Sequence, residues 1–382
     1  MQSGGRTMWL RVLLPCLAFV FLPPQYASGR KPPGEVEGVS YEHYVVDEVP
    51  WSIHVVKIDR SRKDFEIVTT LGGGSKIGLN YLTRQLRTIP REIGTPIAAI
   101  NGDFYALEHD NYAGDPRGLH ILRGELVSDP IQRTCMWIDE VGNPHIGDVA
   151  SKFSVTWPNG ENTPFGLNEG RGGNSMVLYT AAVGDSTQTS GGTELILEKV
   201  STNRWLPLKP DATFPARVRE VRRGGDSPVT EGTLVLSIGS RRLPSVEVGD
   251  VLMLSTATEP SLKGARTGIG GGPMLVREGK AAPGRALKAN ERHPRSAIGW
   301  NSKYFYFVEV YGRQPGLSMG MDVRELAAFL VKIGCEEGMN LDGGGSAEVW
   351  LNGQIMNSPC FRRERATATA IVLVQKKGQA QP

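Results

Sequence analysis

Residues 304–346 constrain the fold more than any other stretch of the chain. The segment opens with YFYFVEV (304–310), whose aromatic and β-branched content is that of a strand. Asp322 and Glu325 then have the spacing of a capping box, and Val323, Leu326, Ala327, Leu330 and Val331 form one apolar helical face that ends at Gly334. A short apolar run through Met339 and Leu341 ends at Asp342, and Gly343, Gly344, Gly345 and Ser346 follow it. If both strands join one sheet, this order predicts a right-handed crossover with parallel strands whose carboxyl ends share an edge. Open α/β sheets bind ligands at such an edge, and here it gathers Arg313 and Asp342. Asn101 and Asp103 follow the buried-strand run 96–100 and are placed to join them.

The rest of the chain reads mostly as strands. Residues 52–58 and 65–69 are β-rich runs around a charged turn, the pattern of a hairpin, and Leu79, Leu82, Leu86 and Ile89 have helical spacing. Three segments, 119–127, 274–280 and 349–355, have a strand, turn, strand layout, the last with an Asn-Gly turn. Residues 150–262 are β-like and carry no catalytic motif. The expected class is α+β: a mixed β-sheet with flanking helices, a βαβ crossover near the C-terminus and a β-rich middle elaboration. The expected organisation is a signal peptide over 1–29, a leader over 30–50, one domain over 51–375 with a divergent segment at 150–262, and a tail over 376–382.

Charge and composition narrow the function classes. The chain has 43 basic and 40 acidic residues with no basic stripe, which disfavours nucleic acid as a partner. Arg6 and Arg11 precede an apolar run over 12–22, and Ala27, Ser28 and Gly29 offer a cleavage site, so the chain reads as exported, secreted or periplasmic. That run is shorter than the roughly 20 residues a spanning helix needs, and no stable membrane span is expected once the signal is removed. Removing it takes away Cys16 and leaves Cys135, Cys335 and Cys360, which allow at most one internal disulfide and contain no CxxC pair.

Several motifs are present only in form. Gly268 to Pro273 has proline where a dinucleotide loop needs a helix start, and no P-loop occurs. Ser318 lies in a G-x-S-x-G match, but no histidine follows it, which breaks the order of an α/β-hydrolase triad. The six histidines lack zinc spacing, and calcium through Asp103, Asp110 or Asp342 has no supporting pattern. No cofactor is expected, and the need for a metal stays open.

Asp342 is the acid with the most chemical context. Glycine N–H groups can form an anion-binding concavity beside a carboxylate. Chemistry at an anomeric carbon uses that pairing, because an oxocarbenium-like transition state needs a nearby carboxylate and the departing oxygen needs donors. A phosphate leaving group relaxes the demand for a strong acid and raises the demand for arginine. Arg295, within HPRSAIG, reads on its own as a surface arginine.

Taken in order, AINGDFY (99–105), residues 114–128, GGGPMLV (270–276), PRSAIG (294–299), NLDGGGS (340–346) and ERATATA (364–370) resemble the phosphodiester glycosidase family. The resemblance runs from about Trp51 to Val374 and is poor over 150–262. It departs at Tyr311-Gly312-Arg313, where the family often has Asp-Gly-Arg, and at Asp103, where glycine is frequent. The resemblance implies an exported hydrolase that cleaves a sugar-1-phosphodiester in a glycan or exopolysaccharide, with a phosphodiester-linked carbohydrate as its partner. It implies catalytic roles for Asp342, Arg295 and Asn101. Substrate contacts would come from Asp103, Arg313, Asn340, Gly343, Gly344, Gly345, Ser346, Arg365 and Thr369. The competing class is a non-catalytic glycan-binding or envelope and exopolysaccharide assembly protein on the same scaffold.

Overall fold

Residues 51–59 alternate little in burial: nearly every side chain of the strand Trp51–Asp59 is buried, as in a strand covered on both faces. In the computed structural model, which describes residues 34–107, 112–200, 205–240, 244–282, 290–358 and 363–376, this strand lies inside a seven-stranded sheet. The order is Val39–Val46, Trp51–Asp59, Tyr304–Val310, Arg295–Trp300, Glu337–Asn340, Met274–Arg277 and Lys280–Ala281. Every ladder in it is antiparallel. The signal segment, Cys16, Cys360 and Asp110 lie outside the described residues.

The expected α+β class with flanking helices is not what forms. The described residues contain 26 strands and two α-helices, Leu82–Gln85 and Val323–Lys332, so the fold is nearly all β. The mixed sheet is also corrected. Tyr304–Val310 and Glu337–Asn340 share this sheet and run parallel, as the crossover reading expects, but Arg295–Trp300 lies between them and runs antiparallel to both, so no parallel ladder forms. The reason is local: Asn301 Oδ1 accepts from the N–H groups of Lys303 and Tyr304, closing a tight hairpin that fills the neighbouring place. The hairpin expected from 52–58 and 65–69 is absent too. Phe65–Leu71 crosses to a five-stranded antiparallel sheet ordered Gln354–Ile355, Val349–Leu351, Thr95–Asn101, Thr369–Gln375 and Phe65–Leu71.

These two sheets face each other across one core. Val56, Ile298, Phe307 and Met339 come from the first, Ile100, Val349, Ile371 and Leu373 from the second, and Met136 and Ile269 from a six-stranded sheet that closes the side. Residues of the middle region build an eight-stranded sheet, from Ser154–Thr156 to Val251–Ser255, over a second core that it shares with Ile121, Leu126 and Cys135 of the six-stranded sheet. The outer face of the seven-stranded sheet is covered by Val323–Lys332, which buries Leu326, Phe329 and Leu330 against Val308 and Ala297. Each such side chain contributes about 1.5–3 kcal/mol by leaving water. The helix starts where its sequence says it should: Asp322 accepts from the N–H groups of Arg324 and Glu325, and Glu325 returns a bond to the Asp322 N–H. Asp322→Ala should therefore cost about 1 kcal/mol, read as a lower urea midpoint at unchanged slope.

Candidate active site

The three sheets around the shared core meet where several strands end. Thr95–Asn101 and Thr267–Gly270 finish there, Thr369–Gln375 begins there, and Glu337–Asn340 runs into Asp342. Backbone bonds stitch these ends together: Asp342 N–H to Gly102 O (3.0 Å), Gly102 N–H to Thr369 O (2.9 Å) and Gly271 N–H to Thr134 O (3.1 Å). Residues more than 130 positions apart are thereby fixed with strand precision rather than on a free loop.

Two carboxyl groups share this floor. Asp342 Oδ1 accepts from the Gly343 N–H at 2.9 Å, and its carboxylate also takes the Ser346 hydroxyl. Burial pushes its pKa up to about 6 against the lowering effect of those two bonds and of the Arg365 charge. Asp103 lies deeper, 2% exposed, with Oδ1 on the Phe104 N–H and Oδ2 buried without a protein partner among the described residues. Burial raises it to about 7, the nearby Arg133 charge opposes that, and the Asp342 charge adds to it. Space for the Asp103 carboxylate is made by two glycines from the six-stranded sheet region. A Cβ on Gly270 would stand 2.3 Å from Oδ2, and one on Gly118 would stand 3.0 Å from it.

Three arginines border the pair. Arg365 lies over the Tyr105 ring at 5.9 Å, and Arg133 over the Phe104 ring at 5.2 Å. The exposed Arg313, left-handed at φ 58°, sets its guanidinium 3.3–3.6 Å from where a Gly344 Cβ would be. That position admits no side chain easily, since Gly344 itself has φ +62°.

The other expected site residues fall into place differently. Asn101 is 1% exposed and wholly engaged: Nδ2 donates to Asp342 O (2.7 Å), while Oδ1 accepts from Ser296 Oγ (2.6 Å) and the Glu348 N–H (3.2 Å). It positions Asp342 and has no free face for substrate. Arg295 is not brought to Asp342. Strand alternation points Ser296 inward to Asn101 and sends Arg295 to the other face, where it donates to Met321 O (3.0 Å) and Glu291 O (2.9 Å). It stands behind Arg313, close enough that the two charges oppose each other. Thr369 anchors the Asp103 N–H at 3.0 Å, and Asn340 bonds Gly272 O and Leu341 O while its Oδ1 stays buried without a protein partner.

The expected glycine concavity is also redirected. Gly343 N–H serves the Asp342 carboxylate, Gly344 N–H goes to Pro294 O, and Gly344–Ser346 tightens into a single 3-10 turn containing Gly345. The glycines act by allowing close approach: a Cβ on Gly343 would meet Pro294 O at 2.6 Å. Ser318, of the G-x-S-x-G match, is a buried strut that donates to Tyr311 O (2.7 Å) and accepts from the Ser52 N–H. Cys135 and Cys335 are free, buried thiols. Site roles for Arg133, Gly118 and Ser296 were not expected: Gly118 and Ser296 lie inside the runs 114–128 and 294–299 with nothing of their own to mark them, and Arg133 has a charge but no local motif around it. A cavity of about 760 Å³ lies at the far ends of the same strands, beside Asp59, Phe65, Ile138 and Tyr304, away from these groups.

Residues 218–374 match the sequence model of the phosphodiester glycosidase family, so the resemblance holds over a span that includes Arg295, Arg313, Asp342 and Arg365 and excludes Asn101, Asp103 and Arg133. The SPbeta prophage-derived uncharacterized protein YomE of Bacillus subtilis (strain 168) is 27% identical over 114 residues, 29% of this chain and 18% of that protein. In structure, a hypothetical protein from Synechocystis aligns over 88% of this chain and 62% of its own, with TM-score 0.71 and 20% identity. A protein of Burkholderia pseudomallei K96243 aligns over 85% of this chain and 74% of its own, with TM-score 0.64 and 18% identity. Those two likenesses show a shared fold. The zebrafish N-acetylglucosamine-1-phosphodiester alpha-N-acetylglucosaminidase catalytic domain aligns over 94% and 89% of the two chains at TM-score 0.48 and 16% identity. Among the described residues no helix is long and apolar enough to cross a membrane.

Proposed function

Taking residues 218–374 as phosphodiester glycosidase sequence, we propose that this chain hydrolyses a sugar-1-phosphodiester bond in a glycan or exopolysaccharide, outside the cytoplasm, as the signal-like run over 12–22 suggests. The observation that carries the reading is the pair Asp103 and Asp342 on one floor, bordered by Arg133, Arg313 and Arg365. Two acids in unlike surroundings are how one site holds a charged and a protonated carboxyl together at the same pH. The half-buried Asp342, the more acidic of the two, faces the anomeric carbon as a carboxylate and stabilises its positive charge while the C1–O bond breaks. The bonding pair leaves on the phosphate oxygen, and the arginines take up that charge. Asp103 gives its proton to the departing phosphate oxygen, water adds at the anomeric carbon as the sugar's new hydroxyl, and the proton that water loses returns to Asp103.

The test is product release by purified protein on a panel of sugar-1-phosphodiesters set beside ordinary aryl glycosides of the same sugars. The expected result is cleavage of the phosphodiesters at rates at least tenfold above the aryl glycosides, because only the former give the arginines a phosphate to hold. Equal turnover of both would remove the phosphate from the account. Silence across the panel together with saturable glycan binding would establish the binding-protein reading instead.

A further inference from the structure

Asn101 ties the Asp342 turn to the core, and both donors to its Oδ1 stand next to a buried glutamate. One donor is the Glu348 N–H, and the Glu348 carbonyl accepts the Asn101 N–H at 3.2 Å in return. The other is Ser296, the cross-strand partner of Glu309. Glu309 and Glu348 are each 1% exposed; Glu309 Oε2 has no protein hydrogen-bond partner among the described residues, and the Glu348 carboxyl has only the Arg365 N–H near it, outside full hydrogen-bond geometry. Asn357 connects the two acids. Its Nδ2 donates to Glu309 Oε1 (3.2 Å) and Ala347 O (2.9 Å), and its Oδ1 accepts from the Val349 N–H (3.1 Å), so it grips the chain on either side of Glu348.

Among the described residues no cation stands against this pair. Glu348 faces Glu309, Glu364 and the Arg365 N–H. Glu309 faces Glu348, Asn357 and, across the ladder, His54, whose Nδ1 is engaged by the Tyr41 hydroxyl and whose ring stacks on His43 at 4.2 Å. Burial holds His54 well below its usual range, so it stays neutral, and burial first and the neighbouring acids second push Glu348 up to about 8 and Glu309 well upward. A buried carboxylate without partners is strongly disfavoured, and two side by side are more so.

We propose that Glu309 and Glu348 are positioning residues, an uncharged carboxylic acid pair beneath the site that keeps Asn101, and through it the Asp342 turn, in working geometry. When Glu348 ionises, repulsion from Glu364 and the pull of solvent drag its backbone away from Asn101, and the floor of the site loosens. The activity part of this inference rests on the hydrolase reading; the protonation state of the pair does not.

The experiment compares the wild-type chain with Glu348→Gln, Glu309→Gln and the double variant in two readouts. In kcat/KM against pH on an accepted sugar-1-phosphodiester, wild type should fall more steeply than tenfold per unit above about pH 8. Glu348→Gln should keep wild-type kcat/KM within about twofold at pH 6.5 and recover about tenfold at pH 9, because the amide mimics the neutral acid. The second readout is the urea midpoint from pH 5 to 8. A carboxyl whose folded pKa is raised keeps its proton after the unfolded chain has lost it, so its contribution declines from about pH 4.5 upward and levels off above the folded value. Wild type should lose midpoint over that window relative to the double variant. A Glu348→Gln protein that is folded and inactive at pH 6.5, or whose alkaline limb superimposes on wild type, overturns the positioning role. A wild-type midpoint that tracks the double variant at every pH overturns the neutral pair. If nothing in the panel is hydrolysed, the hydrolase reading fails on its own and the urea series still decides the state of the pair.

Discussion

Asp342→Asn is expected to lower kcat/KM on an accepted sugar-1-phosphodiester by about a thousandfold or more, with the fold intact. An asparagine Oδ1 can still accept the Gly343 N–H that Asp342 holds at 2.9 Å, and the backbone bond from the Asp342 N–H to Gly102 O is unchanged. What disappears is the negative charge that the proposed mechanism sets beside the anomeric carbon. Because that charge is held against a burial penalty, its removal should leave the urea midpoint level or slightly higher. Circular dichroism and the urea midpoint check the fold, and initial rates check the chemistry. A folded variant keeping a tenth of wild-type activity would remove Asp342 from the reaction.

The second large effect is on pH dependence. The mechanism needs Asp342 ionised and Asp103 protonated, and burial raises them to about 6 and about 7 respectively. The two acids interact, so these belong to the pair as apparent values. The log of kcat/KM should rise about one unit per pH unit below about 6 and fall by the same slope above about 7, which leaves a narrow maximum on the acid side of neutrality. Asp103→Asn should remove the first alkaline limb and lower the maximum. A flat profile from pH 5 to 8 would contradict a two-carboxyl mechanism. The steeper fall above pH 8 that Glu348 contributes is separable, since it disappears in Glu348→Gln and persists in Asp103→Asn.

What could be read from the chain depended on how far apart the interacting residues are. The capping box at Asp322 and Glu325 is closed by neighbours three positions apart, and it forms as its spacing indicates. The hairpins at 119–127, 274–280 and 349–355 are equally local and form within those spans. Failures came where a distant strand competes for a place. The crossover's two strands do share one sheet and run parallel, but Arg295–Trp300 lies between them, so every ladder they make is antiparallel. Phe65–Leu71 leaves its sequence neighbour for Thr369–Gln375, which runs almost 300 residues later. The β-rich class was under-read for a related reason: Leu79, Leu82, Leu86 and Ile89 have helical spacing, but only Leu82–Gln85 becomes α-helix before a 3-10 turn takes over.

The site divides along the same line. Asp342, Gly343, Gly344 and Ser346 stand together because they are consecutive or nearly so, and Asn101 and Asp103 reach them because both follow a buried strand that ends at the same edge. Arg295 failed to reach Asp342 by one residue of strand register, which exchanged its side chain for that of Ser296. Arg133 has no motif at all. It comes from the six-stranded sheet, in an ordinary strand, Ile131–Ile138, and meets Asp103 only through tertiary packing. Glu309 and Glu348 belong to no motif in the sequence, and only burial shows that they lie under the site.

The central claim is that the sugar's own C1–O bond breaks and the P–O bond stays whole. Hydrolysis of an accepted sugar-1-phosphodiester in water enriched in oxygen-18, with mass analysis of both products, tests this directly. The mechanism through Asp342 predicts the label in the anomeric hydroxyl of the released sugar and none in the phosphate monoester. Label in the phosphate would mean attack at phosphorus, and the arrangement around Asp342 would then belong to a phosphodiesterase.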